Sequence, residues 1–116
     1  MRRGAGIYVI APTARMLLGL RSGQVNDAFQ WCGFGGGLER GETLLECAVR
    51  ELREETGYPG SLDVTQVTRQ IFLGVVPEEF EPTLNWEHEA AAWFTFAETV
   101  RLRPKHWTLR QLLRSL

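Results

Sequence analysis

Three glutamates, Glu51, Glu54 and Glu55, stand three and four residues apart beside Arg50; Glu42 lies upstream of them, and the run Gly35 to Gly37 further upstream still. Thr43 followed three residues later by Glu46 is a capping-box pattern, and Gly57 stands where a helix would stop, so the spacing predicts a helix over about 44–56. On it the three carboxylates share one face within a turn of each other. Like charges so placed repel by about 0.2–0.5 kcal/mol per pair on an isolated helix, and a purely structural helix has no reason to cluster them. A hard divalent cation removes the objection. Carboxylate oxygens are the ligands Mg²⁺ takes, usually one or two of them, with waters and substrate phosphate in the other positions.

The elements that must hold this set follow from its flanks. Leu45, Ala48, Val49 and Leu52 form the apolar stripe expected to bury the helix. The apolar stretch Trp31-Cys32-Gly33-Phe34 predicts a short strand leading into a tight glycine loop, where the backbone can approach a ligand closely and the Gly35 carbonyl could join a metal shell. Arg50, four residues from both Glu46 and Glu54, is placed to pair with either and to fix a carboxylate. A glutamate-rich helix is usually a solvated face. The nine specified positions from Gly36 to Tyr58 together are much harder to reach by accident.

Those nine positions resemble the complete signature of the Nudix hydrolase family, in the form of a small MutT-like member, over 23 of 116 residues. The resemblance implies hydrolysis of a nucleoside diphosphate linked to another moiety, with Mg²⁺ as cofactor or Mn²⁺ in its place. It implies Glu54 and Glu55 as principal metal ligands, Glu51 as a further ligand or the base, Arg50 as the orienter of carboxylates, and Gly35 as a carbonyl ligand. Glu42 is a weaker ligand candidate, with helix N-terminal electrostatics as its structural alternative. Glu87, six residues before Trp93, matches a glutamate that in triphosphate-cleaving members completes the metal shell or serves as base. Glu89 competes for that role, and His88 between them reads as a surface histidine. The chemistry explains the need: anionic oxygens of a phosphoanhydride repel hydroxide, and cations that neutralise charge and bind water act directly on that barrier. Downstream, Leu73-Gly74-Val75 carries neither the proline of ADP-ribose enzymes nor the tyrosine of dinucleoside-polyphosphate enzymes.

Composition sets outer limits. A chain of 116 residues with 44% hydrophobic content suits one globular domain over 1–116 and leaves no room for a second. No apolar run is long enough for a membrane span. The basic start from Met1 to Ile7 is followed by a short, strand-like apolar segment without a convincing cleavage site, so a cytoplasmic protein is the simpler reading. Cys32 and Cys47 lack metal-ligand or redox spacing and read as buried free thiols. The net charge of −1 argues against a strong draw to nucleic acid. Residues 101–116 nevertheless hold five Lys or Arg and no acid, while 78–89 hold five acids and no Lys or Arg. The basic end reads as the wet side of a terminal helix, with an RNA 5′ end as the alternative ligand.

Strand signals fall at 6–11 and 16–20, which form a hairpin, and at 62–68, 70–76 and 90–96. Residues 22–28 and 78–89 read as loops, 97–100 as a single turn, and Pro104 as the opening of a last helix with Trp107, Leu109, Leu112 and Leu113 packed inward. The outcome is an α/β fold, a mixed β-sheet sandwiched between helices, which the resemblance also implies. Trp86 and Arg69 are the expected substrate contacts, with Trp31, Phe72 and Phe80 as other aromatic candidates and the first two read as core. The expected partner is a small nucleotide-type substrate, with no membrane, DNA disfavoured, the RNA 5′ end retained and a homodimer admitted. A non-catalytic nucleotide-binding module is the competing class.

Overall fold

The computed structural model describes residues 3–116; Met1 and Arg2 of the basic start lie outside the described residues. Strand β1 (Gly4–Ile10) is the hub of the sheet. It pairs antiparallel with β2 (Arg15–Arg21) and β4 (Phe34–Gly37), and parallel with β6 (Ile71–Val75). Strands β3 (Trp31–Cys32) and β7 (His88–Thr95) pair with β2, and β5 (Asp63–Gln66) pairs with β6, all antiparallel. The main path is β3-β2-β1-β6-β5, with β4 branching from β1 and β7 from β2.

Alternation along β1 divides its side chains between two layers. Ala5, Ile7 and Val9 join Leu17, Phe34 and Phe72 in a core completed by Cys47, Ala48 and Leu52 of α1 (Leu44–Thr56). Tyr8 joins Met16, Leu18 and Ile71 on the opposite face, under Leu109 and Leu112 of α3 (Trp107–Ser115). The mixed sheet therefore lies between helices, as expected. A short helix, α2 (Phe96–Arg101), opens with its own capping box, Thr95 with Glu98.

Helix α1 has the predicted limits. The Thr43 hydroxyl accepts from the Glu46 N–H, the Glu46 carboxylate accepts from the Thr43 N–H, and Gly57 closes the helix at φ 72°. Its buried stripe is different from the one expected. Cys47, Ala48, Glu51, Leu52 and Glu55 face inward, Val49 is only partly covered, and Leu45 is 44% exposed. Small residues let the helix lie close to the sheet, and the turn that buries Leu52 carries Glu51 and Glu55 in with it.

Four other expectations are corrected. The glycine run is strand β4 rather than a loop, because glycine at 35 lets β4 approach β1: a Cβ there would run into the Ala5 carbonyl oxygen. Strand β7 starts two residues early, at His88. Pro104 precedes the last helix without opening it; His106 is the N-cap, its ring accepting from the Thr108 N–H. Trp107 is 55% exposed and does not pack inward, since Leu109 and Leu112 already fill the contact with the sheet.

Candidate active site

Arg50 ties the carboxylates together. Its Nε and Nη2 form a fork on Glu42 at 2.6 and 2.9 Å, Nη1 reaches Glu51 at 3.0 Å and Glu54 at 3.2 Å, and Nη2 also donates to the Gly37 carbonyl at 3.1 Å. Glu39 adds a further contact at 3.1 Å. The fork, with the Glu39 N–H, lowers the Glu42 carboxyl to about 2. The expected alternative partner, Glu46, is occupied in the capping box, and the loop before α1 brings Glu42 into its place. Both Glu42 carboxylate oxygens are thus engaged by Arg50.

Glu55 lies at the bottom of the arrangement, 1% exposed. One oxygen accepts from the Gly35 N–H at 3.2 Å, and the other stands 3.6 Å from His88 Nδ1. Burial, reinforced by the charges of Glu87 and Glu51, raises its carboxyl to about 10. Glu51 is also buried and packs against Gly36, where a Cβ would run into its carboxylate. Glu54 faces outward, its side chain 53% exposed and held by Arg50. Glu87 is half-buried, and burial together with Glu51 raises it as well. Its backbone is fixed by the Asn85 side chain and by Ser22. Glu89 is exposed.

Among the described residues no three Asp, Glu, His or Cys side chains are already drawn around one point as metal ligands. The set still suits a hard cation in kind. It offers only oxygens, and Glu55 is a sheltered carboxyl on which the charges of Glu51 and Glu87 act unfavourably, a burden that a divalent ion would relieve.

His88 is buried, not on the surface, and burial lowers its pKa to about 4. Its ring occupies the space left by Gly19, with Nε2 3.8 Å from Cys32 Sγ, and Nδ1 has no hydrogen-bond partner among the described residues. Both cysteines are buried free thiols, as expected.

Gly35, Gly36 and Glu87 line one part of a cavity of about 760 Å³, which Trp86 and Arg69 also line. Trp86 is 60% exposed, while Phe72 is in the core, Trp31 packs edge-on against Phe94, and Phe80 is enclosed by Tyr58 and Trp93. Sequence spacing did not reveal the remaining wall, formed by Tyr8, Arg21, Asn26, Trp107, Thr108 and Gln111. These residues come from separate strands, a loop and α3, and only the fold brings them together. Of the basic residues near the end of the chain, Lys105 donates to the carbonyls of Val100 and Leu102, and Arg110 donates to that of Lys105.

A family model described as NUDIX domain matches residues 1–116, and the chain belongs to the Nudix family. It is 27% identical over 104 residues to Nudix hydrolase 27, chloroplastic, of Arabidopsis thaliana, covering 84% of this chain and 44% of that protein. It is 34% identical over 80 residues to an RNA pyrophosphohydrolase of Legionella pneumophila, covering 68% of this chain and 43% of that one. A solved Nudix hydrolase from M. smegmatis, RenU, shares the fold at TM-score 0.79 and 20% identity, over 99% of this chain and 87% of that chain. The chain spans less than half the length of these two curated relatives.

Proposed function

We propose that this chain hydrolyses a phosphoanhydride in a nucleoside diphosphate linked to another moiety, with Mg²⁺ or Mn²⁺ as cofactor. The observation that carries the reading is the buried Glu55 carboxyl, bonded to the Gly35 N–H, with Glu51 packed on Gly36, behind a cavity wall to which Gly35, Gly36 and Glu87 belong. Glu51, Glu54, Glu55 and Glu87, with the Gly35 carbonyl, are the groups to hold the cation. When bound, the ion neutralises phosphate charge and lowers the pKa of water. Arg50 fixes both Glu51 and Glu54 through hydrogen bonds that leave lone pairs on each carboxylate free for a cation. Glu51 or Glu87 takes the proton of the attacking water. Gly35 and Gly36 bring bare backbone to the cavity wall, against which a diphosphate can lie. Membership of the Nudix family and similarity to a protein named RNA pyrophosphohydrolase support the reaction class.

The test is a panel of nucleoside triphosphates, damaged nucleotides, nucleotide sugars, ADP-ribose, dinucleoside polyphosphates and triphosphorylated RNA, assayed with Mg²⁺ and with Mn²⁺. Cation-dependent cleavage of at least one compound is expected, and Glu55→Gln should reduce it by at least about 10²-fold, the scale on which removing one electrostatic or acid–base group acts. Tight binding of one compound with no cleavage of any would replace the hydrolase reading with that of a binding module. Unchanged turnover and metal dependence in Glu87→Gln would remove Glu87 from the site.

A further inference from the structure

The carboxylate chemistry leaves the other wall of the cavity unexplained. Trp107 presents an indole that is 55% exposed where it lines the cavity, its ring accessible to a ligand there. Its neighbour in the chain, His106, is buried and supports it, with 5.7 Å between ring centroids and 33° between planes. The imidazole is itself fixed on both edges. Nδ1 accepts from the Thr108 N–H at 3.2 Å, which places the ring proton on Nε2, 3.1 Å from Asp27 Oδ2. The Thr108 hydroxyl lies 2.7 Å from Nδ1 and 2.9 Å from the Tyr8 hydroxyl. Because Nδ1 has no hydrogen, Thr108 donates to it and accepts from Tyr8.

A chain of hydrogen bonds therefore runs from a loop residue, Asp27, through a buried ring to Tyr8 in the central strand. Asp27 keeps a left-handed backbone at φ 55°, a conformation open to Asp, Asn and Gly, and its carboxylate meets the imidazole from there. Resting on the reading that the cavity takes a nucleotide, we propose that Asp27 and His106 are positioning residues that hold Trp107 as a stacking plate for the nucleobase. Asn26 and Gln111 line the same cavity and supply amide donors and acceptors for the edges of a base. An aromatic plate suits any base. The assembly thus sets how strongly the cavity prefers base-bearing polyphosphates over base-free ones, independently of the carboxylates.

The experiment titrates the full chain in Mg²⁺ with ATP, GTP, CTP, UTP and inorganic tripolyphosphate, following tryptophan fluorescence together with phosphate and pyrophosphate release. At least one nucleotide should bind more tightly than tripolyphosphate and quench emission. Trp107→Ala, which removes an exposed ring, should reduce that affinity ratio about tenfold, the effect expected for losing one stacked base. Asp27→Gly, which keeps the backbone conformation but removes the acceptor, should reduce it in the same direction, and Asp27→Asn, which restores an acceptor, should recover it. Equal weakening of nucleotide and tripolyphosphate, no recovery in Asp27→Asn, or the absence of any preference for nucleotides would overturn the inference. Discriminating binding without cleavage of any compound would sustain the plate while overturning the hydrolase reading.

Discussion

The Glu55 carboxyl has a consequence for stability that can be measured without substrate. Its pKa in the fold is about 10 against an ordinary 4.5, so the folded chain keeps a proton that the unfolded chain releases. Stability therefore falls as pH rises through that window. His88 acts oppositely on the acid side: buried and neutral, with its pKa lowered to about 4 from 6.5, it loses its contribution as pH falls through that lower range. Between about pH 7 and 9 the Glu55 effect stands apart from that of His88. Metal-free protein should show a Tm that declines across this interval, Glu55→Gln should flatten the decline, and Mg²⁺ should oppose it. An identical slope in wild type and Glu55→Gln would show that the carboxyl is not held protonated by the fold. The close spacing of Glu51, Glu54 and Glu55 was legible because it repeats with the helix. That Glu54 turns outward while the other two are buried was not, since the orientation of α1 depends on Cys47 and Ala48 fitting the sheet. His88 was misread for a related reason: the space that takes its ring is created by Gly19 on a different strand.

The element that joins helix and sheet is β4, and its adjacent glycines should fail in different ways. An added Cβ on Gly35 meets backbone, the Ala5 carbonyl and Gly6 Cα at 2.8 Å. Gly35→Ala should therefore separate β4 from β1 and destabilise the chain by about 1–3 kcal/mol, the usual scale of overpacking. On Gly36 the obstacle is the end of the Glu51 side chain, which can swing away. Gly36→Ala should change the urea midpoint by less than about 1 kcal/mol equivalent while lowering turnover through a displaced Glu51. Equal loss of stability in both variants would contradict this division. Helix α1 was predictable to its ends because Thr43, Glu46 and Gly57 act locally. The glycine strand was less legible: three glycines suggest a loop, and the pairing that makes them a strand comes from β1, about thirty residues earlier in the chain.

Across the whole molecule, the two cores separate what each helix supports. Leu109, on the inner side of α3, is fully buried against the face of the sheet opposite α1. Leu109→Ala should reduce stability by about 2–5 kcal/mol. Mg²⁺ affinity, measured well below the unfolding transition, should stay within about twofold of wild type, because distant sites with no shared partners behave additively. Coupled losses of stability and metal affinity would show that the layers are not independent. The strand signal of β1 and the inward packing of Leu109, Leu112 and Leu113 were legible in the sequence; the outward turn of Trp107 was not, because its place depends on the cavity wall that α3 forms with distant strands.

In β1 a change in the number of residues should do more harm than an exchange of side chains. Removing or inserting one residue in β1 would exchange Ala5, Ile7 and Val9 with Gly6, Tyr8 and Ile10 relative to the two faces. The Tyr8 hydroxyl would be driven into the layer under α1, and an aliphatic side chain would take its place below Thr108. A single-codon deletion in this segment would therefore damage both ends of the cavity at once, where a point substitution reaches only one.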